Sequence, residues 1–239
     1  MAQRGAVMES LGKIRDRVLP VLERPLDTYS EVGAGTFFDP GAFPWIQSVE
    51  AALPAIQAEL REVLAERESI PLFQELIPSQ ASLTSDDKWR TFTFYGYGVS
   101  HDANIARCPE TARVSRSIPG MTTSFFSILA PGKHIPPHRG FYKGVLRYHL
   151  GLQIPAKAED CRIRVGDDIR HWTEGGSLVF DDTFEHEVWN DTDEERVVLF
   201  VDFLRPLPQP LRTINHGVVK AIGYSPEIRR AAKAGRIPT

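Results

Sequence analysis

Two short stretches of this chain concentrate side chains that can do chemistry. The first, PGKHIPPHRGFYKGVLRYHLGLQIP (131–155), carries His134, His138, Arg147 and His149. The second, EHEVWNDTDEER (185–196), carries His186 and ends on Arg196. A neutral imidazole is the commonest protein ligand for a first-row metal. A guanidinium holds a carboxylate through two parallel hydrogen bonds. His134 and His138 have the spacing of a zinc-binding helix, but Pro136 and Pro137 lie between them and forbid that helix. The segment therefore reads as extended, with one of the two histidines turned inward. In VLRYHLGL the alternation places Val145, Arg147, His149 and Gly151 on one face and Leu146, Tyr148, Leu150 and Leu152 on the other. A guanidinium on a covered face needs an anion. Asp181, Asp182 or Asp202 would supply one as a plain structural ion pair. A bound carboxylate is the functional alternative. Two histidines on different strands, near two inward arginines, fit a metal site beside an anion site, and Fe(II) with a dicarboxylate is one such pair.

The elements that must hold these residues are mostly strands. From residue 89 the segments KWRTFTFYGYG, TTSFFSILAPG, GVLRYHLGLQI, CRIRVGDDIRHW, SLVFDD, EHEVWND and ERVVLFVDFLRP are short, apolar or alternating, and separated by turn residues such as Pro131-Gly132 and Gly175-Gly176. That rhythm predicts an all-β sandwich or barrel. Helical spacing precedes it. Met8, Leu11, Ile14 and Val18 form one stripe. Ile46, Val49, Leu53, Ile56, Leu60, Val63 and Leu64 form another, with Pro44 suited to its first turn and Pro54 predicting a kink or a split. Helix resumes from Leu211 to Gly223. The division expected is a helical region over 1–86, a β core over 87–207 and a helical, basic tail over 208–239.

The totals narrow the function. A net charge of −3 over 239 residues argues against a general nucleic-acid binder. Two cysteines, Cys108 and Cys161, make no disulfide or zinc pattern. The beginning, MAQRGAVMESLGKIRDRV, has no apolar run of signal-peptide length, and no stretch reaches the ~20 apolar residues of a membrane helix. The expectation is a cytoplasmic protein. Arg229, Arg230, Lys233 and Arg236 read as a solvated end, with contact to an anionic membrane as the alternative.

The residues DDKWRTFTF, CPETARVSRSIPG, PPHRG, LRYHLGLQIP and GSLVFDDTFEHEVWNDTDEERVVLFVDFLRP, in that order over roughly 87–207, resemble the aspartyl/asparaginyl β-hydroxylase family of Fe(II)- and 2-oxoglutarate-dependent dioxygenases. That family also contains bacterial lipid A acyl-chain hydroxylases. The resemblance implies a mainly β fold, a double-stranded β-helix (jelly-roll, cupin-like) with flanking N- and C-terminal helices. It implies Fe(II) held by His138 and His186, and 2-oxoglutarate and O2 as cosubstrates. Arg196 would hold the distal carboxylate with Ser127 donating a hydrogen bond, while Arg147 and His149 line the same pocket. The activity implied is hydroxylation of an unactivated C–H bond in a small-molecule, peptide or lipid substrate. The β-carbon of an Asp/Asn-type residue comes first and a lipid acyl chain second. A non-catalytic cupin-like binding protein is the alternative from another class.

Two positions depart from the pattern. Most non-haem iron oxygenases add a carboxylate to two histidines, yet the third position here is Gly140, as in the animal peptide hydroxylases, leaving room for water or a halide. Val145 stands where peptide-directed members carry an arginine for the substrate carboxylate, and a valine cannot bind one. His134 is the alternative metal ligand. His101, His171 and His216 read as structural or surface residues.

Overall fold

A computed structural model describes residues 21, 23–76, 83–225 and 229. The stripe Met8–Val18 lies outside these residues, as do Arg230, Lys233 and Arg236. Eleven described strands form two antiparallel sheets. They are β1 (Phe37–Phe38), β2 (Trp89–Gly96), β3 (Val99–Ser100), β4 (Met121–Leu129), β5 (Lys133–His138), β6 (Val145–Gln153), β7 (Cys161–Val165), β8 (Asp168–His171), β9 (Ser177–Phe180), β10 (His186–Asn190) and β11 (Arg196–Leu204). The larger sheet runs β1-β9-β6-β11-β4-β2-β3 and the smaller β5-β10-β7-β8. Strands β4 to β11 alternate between the sheets one by one, except that β7 and β8 lie together in the smaller, which is the strand order of a double-stranded β-helix. The chain is mainly β, with helices on one side of the larger sheet.

Those helices follow the apolar spacing. Helix α1 (Ile46–Ala51) stops at Ala52 and α2 (Leu53–Leu64) begins there. Pro54 is the cause. It lacks an N–H and its ring fits only a first turn, so one amphipathic stripe becomes two helices. Short helices α3 (Phe73–Leu76), α4 (Asp102–Arg107) and α5 (Pro109–Ser117) follow, and α6 (Leu211–Gly223) closes the described chain. Glu59 of α2 accepts from the backbone N–H of Glu110 and Thr111, capping α5 from a neighbouring helix.

Strand parity divides the interior into two cores. Leu146, Tyr148, Leu150 and Leu152 of β6, with Val197, Leu199, Val201 and Phe203 of β11, pack under the helices. Val198 and Phe200 face the other way, into the barrel, among Phe125, Phe180, Ile163 and Trp172. Arg147 and His149 share that inward parity, because Arg147 pairs with Asp202 and His149 with Phe200 across the strands. The larger sheet thus has an apolar back and a front that carries polar groups into the barrel.

Candidate active site

The proline-rich strand explains which histidine turns inward. β5 is an edge strand, where proline is tolerated. In its pairing with β10, His138 opposes His186 and Ile135 opposes Val188. Three residues on β5 therefore span two on β10, and the extra residue is a bulge at Pro136-Pro137. Without it, alternation from inward Lys133 and Ile135 would aim Pro137 into the barrel. With it, His138 turns in. His134 points out instead, bonded to Glu187 at 2.7 Å and stacked on Trp189.

His138 and His186 are direct cross-strand neighbours with ring centroids 4.0 Å apart. Each is oriented by a carbonyl two residues earlier. The Nδ1 of His138 lies 2.8 Å from Pro136 O, and that of His186 lies 3.0 Å from Phe184 O. A carbonyl only accepts, so both rings carry their proton on Nδ1 and present a lone pair at Nε2. The Nε2 of His186 is buried and has no partner among the described residues. Burial, with His138 and Arg147 nearby, pushes the His186 pKa down to about 2. Burial likewise lowers that of His138, against the pull of the Pro136 carbonyl. Both rings are neutral at physiological pH, the form that binds metal.

His149 has the opposite arrangement. Its Nδ1 accepts from the Trp172 indole at 3.3 Å, so Nε2 carries the proton, and that buried donor has no acceptor among the described residues. Its pKa lies well below the usual value because it is buried beside Arg196 and Arg147.

Arg196 is 1 % exposed. Its guanidinium lies over the Trp172 ring, 4.6 Å from the centroid, and its best protein acceptor is Ser127 O at 3.5 Å. Nε is unpartnered, and among the described residues no carboxylate pairs with it. Burial pulls its pKa down to about 10, offset in part by the Cys161 thiol beside it. Ser127 is also buried, and its hydroxyl accepts from the Trp89 indole at 3.2 Å, leaving its own proton free to donate. Ser127, Arg196 and His149 therefore present three donors to one buried region without an anion to receive them.

Arg147 is placed differently. It reaches Asp202 through two bonds, of 2.8 and 3.1 Å, and Asp182 at 2.9 Å, while its guanidinium covers the Phe200 ring. Two of the three aspartates that could have answered it do so. The third, Asp181, pairs with buried Arg205. Burial raises the Asp182 pKa to about 7; Arg147 opposes the rise, and Asp202 adds to it.

Gly140 is in contact with that aspartate. A Cβ built on Gly140 would fall 2.2 Å from the Asp182 carboxyl carbon, and Gly140 N donates to Asp182 O at 2.6 Å. The space that a side chain at 140 would need is filled by the Asp182 carboxylate. Among the described residues no third histidine, cysteine or carboxylate converges with the two histidines into a metal-binding group.

All six sequence-selected residues, Ser127, His138, Arg147, His149, His186 and Arg196, thus face one barrel interior. Trp172 and Trp89, which orient His149 and Ser127, carried no signal in their own sequence context. His171 is exposed and His216 lies on the outer surface of α6. Cys108 and Cys161 are free and buried.

The sequence of residues 50–206 matches the family described as aspartyl/asparaginyl beta-hydroxylase. The chain belongs to that family. It is 44 % identical over 201 residues to the ornithine lipid ester-linked acyl 2-hydroxylase of Rhizobium tropici, covering 84 % of this chain and 72 % of the relative. It is 30 % identical over 214 residues to the aspartyl/asparaginyl beta-hydroxylase of Homo sapiens, covering 85 % of this chain but only 27 % of that protein. The chain is therefore similar both to a lipid acyl 2-hydroxylase and to an aspartyl/asparaginyl beta-hydroxylase, and is itself an enzyme of a hydroxylase family. Among solved structures, a cupin domain of a transcriptional regulator from Enterobacter cloacae aligns with 51 % of this chain and 99 % of its own, at 11 % identity and a TM-score of 0.34. A cupin barrel protein from Salinispora arenicola aligns with 58 % and 92 %, at 12 % and 0.33. The fold assignment rests on the strand order itself.

Proposed function

We propose that this protein is an Fe(II)- and 2-oxoglutarate-dependent hydroxylase that acts on an acyl chain of a polar lipid. One contrast carries the reading. Two neutral histidines lie side by side with Nε2 lone pairs to offer, while Arg196, Ser127 and His149 Nε2 offer donors that lack an acceptor among the described residues. The first set suits a divalent metal and the second a carboxylate. His138 and His186 would hold the iron, and Arg196 with Ser127 would hold the far carboxylate of 2-oxoglutarate. Arg147 and His149 would wall the pocket. When bound, iron and 2-oxoglutarate supply the oxidising chemistry: O2 is consumed, 2-oxoglutarate becomes succinate and carbon dioxide, and a C–H bond becomes C–OH.

The chain's own residues do the rest. The carbonyls of Pro136 and Phe184 lock the imidazole orientations. Phe125, Phe180 and Phe200 surround His149 and Arg147 with rings, Phe125 stacking on Phe200 at 4.1 Å, which keeps water from the reacting centre. Arg147 donates through Nε and Nη2 to Asp202 and Asp182, whose two carboxylates fix it and offset its charge, so it is poorly placed to bind a substrate carboxylate as well.

Two observations favour the acyl chain. Val145, at the barrel mouth, belongs to an apolar cluster with Tyr142 and Leu207. The Rhizobium tropici relative is named for acyl hydroxylation. The β-carbon of an Asp/Asn-type residue is the second reading, favoured by Gly140 and by the human relative. The site of action would be the cytoplasmic side of a membrane, reached peripherally; no described helix is long and apolar enough to cross one.

The test is succinate formation from Fe(II), 2-oxoglutarate and O2 with lipid extract as substrate source, together with mass spectrometry for a lipid gaining one oxygen. His186→Ala should abolish iron-dependent succinate. An unchanged rate in that variant would contradict the assignment. Absence of succinate from wild type with any extract would favour the non-catalytic binding protein.

A further inference from the structure

A groove of about 830 Å³ opens beside the barrel mouth, walled by α6, the 97–99 turn and the chain from Phe203 to Pro206. That volume lies within the range of small-molecule sites, about 300–1,000 Å³. Much of its lining is apolar, including Trp45, Val99, Met121, Phe203, Leu204 and Val219. Its rim is cationic: Arg212, Lys220 and Arg229 border it, against one carboxylate, Glu31. Arg212 and Glu31 pair at 3.1 Å. Lys220 is exposed and makes no ion pair among the described residues.

Tyr97 stands between the groove and the charged groups of the barrel interior. It lines the groove, partly buried, and its phenol lies within the fields of Asp202, Asp182 and Arg147. Tyr97 is held in place by its backbone. It has a positive φ of 46°, unusual for a residue with a side chain, and its N–H donates to Thr122 O at 2.7 Å. Behind it, Gly223 lets α6 come close: a Cβ there would lie 3.1 Å from Tyr97 Cβ. Apolar side chains link the groove to the barrel mouth. Leu204 of the groove pairs across the sheet with Val145, which shares the inward face with Arg147. Tyr97, Leu204 and Val219 pack in the same cluster as Val145 and Tyr142.

We propose that this groove holds an acyl chain of an acidic lipid and leads it past Tyr97 and Val145 to the barrel mouth, with Lys220 facing the head group. An aliphatic chain accounts for the apolar walls, an anionic head for the cationic rim, and the contiguity of Leu204 with Val145 for how a chain reaches the site. The proposal rests on the hydroxylase reading above and adds where the substrate lies. Tyr97 is a positioning residue in it.

The test is binding of cis-parinaric acid, a fluorescent long-chain fatty acid, to the full chain without iron or 2-oxoglutarate. Saturable binding to one site is expected. Val99→Trp, which places an indole at the groove wall, should weaken it about tenfold or more, and Lys220→Glu about three- to tenfold with loss of salt dependence. Lys220 is exposed, so the second variant does not depend on the fold tolerating an indole. Displacement of the probe by an acidic lysophospholipid is expected. Displacement by an Asp-containing peptide instead, unchanged affinity in both variants, or no binding would overturn the proposal. If the probe fails to bind and succinate still forms, the groove assignment falls and the hydroxylase stands. If the probe binds and no succinate forms, the hydroxylase reading falls instead.

Discussion

Two arginines face the same barrel interior and sit in opposite circumstances. Arg147 has two carboxylates for one positive charge, Asp202 through two bonds and Asp182 through one. Arg196 is more deeply buried and has none among the described residues. A buried guanidinium is costly to leave unpaired, so the arrangement at Arg147 is complete within the protein and that at Arg196 is not. The excess charges also differ in sign. The Arg147 end, nearest the two metal-competent histidines, has a surplus carboxylate and suits a dication. The Arg196 end has a surplus cation and suits an anion. The same residue type thus serves as scaffold in one place and as receptor in the other, and the partner atoms, not the residue, separate the roles.

The largest effect that can break this comparison is on stability. Arg147→Met leaves Asp182 and Asp202 facing each other without their cation and should cost ~3–5 kcal/mol, the usual penalty for removing one partner of a buried pair. It is read as a fall in the denaturant midpoint. Arg196→Met in the same assay should leave stability unchanged or raise it, because it removes an uncompensated charge. Equal losses in the two variants would erase the distinction.

Gly140→Asp comes next. It looks like a repair of the missing third metal ligand, but its Cβ would overlap the Asp182 carboxyl at 2.2 Å. The expected outcome is overpacking, a loss of ~1–3 kcal/mol, without tighter iron retention on dialysis. Gly140→Asp with Asp182→Gly frees the space and should recover much of the stability. Tighter iron binding by the single variant would show that the two carboxyl groups do not compete for one place.

The smallest effect is a pH slope. Asp182 is pushed up to about 7, whereas an unfolded aspartate titrates near ~4. Between these values the folded protein holds a proton that the unfolded chain has released. Stability from this group is therefore greatest below the lower value and falls as pH rises through the window. Asp182→Asn should flatten that slope in thermal melts taken across the window, and an identical slope in wild type and variant would show that another group produces it.

Much of this was legible in the residues, and the rest was not for definite reasons. The alternation in VLRYHLGL put Arg147 and His149 on one face because a strand has a period of two and the opposite row is wholly apolar. Pro54 told where the helical stripe would divide, since its ring leaves little choice. The helix from Leu211 to Gly223 was visible from spacing and ends where it was expected to. By contrast, the bulge at Pro136-Pro137, which selects His138 over His134, depends on pairing with β10 some fifty residues away. The filling of the Gly140 space by Asp182, the indole of Trp172 on His149 and the groove beside α6 are likewise long-range contacts, which local pattern does not encode. Helices α4 and α5 went unread because they are short and rich in polar residues, and their ends are fixed from outside, as Glu59 fixes α5. Asp182 and Asp202 were identified as candidate partners of Arg147, but only the fold decides between a protein carboxylate and a ligand one.

The central claim is that Arg196 awaits the carboxylate of a cosubstrate. It is tested most directly by anaerobic calorimetry of 2-oxoglutarate binding to the Fe(II)-loaded protein, wild type against Arg196→Met. Loss of a charge-assisted pair of ~1.5–3 kcal/mol predicts binding weaker by about ten- to a hundredfold in a variant that melts no lower than wild type. Equal affinity in the two proteins would contradict the account.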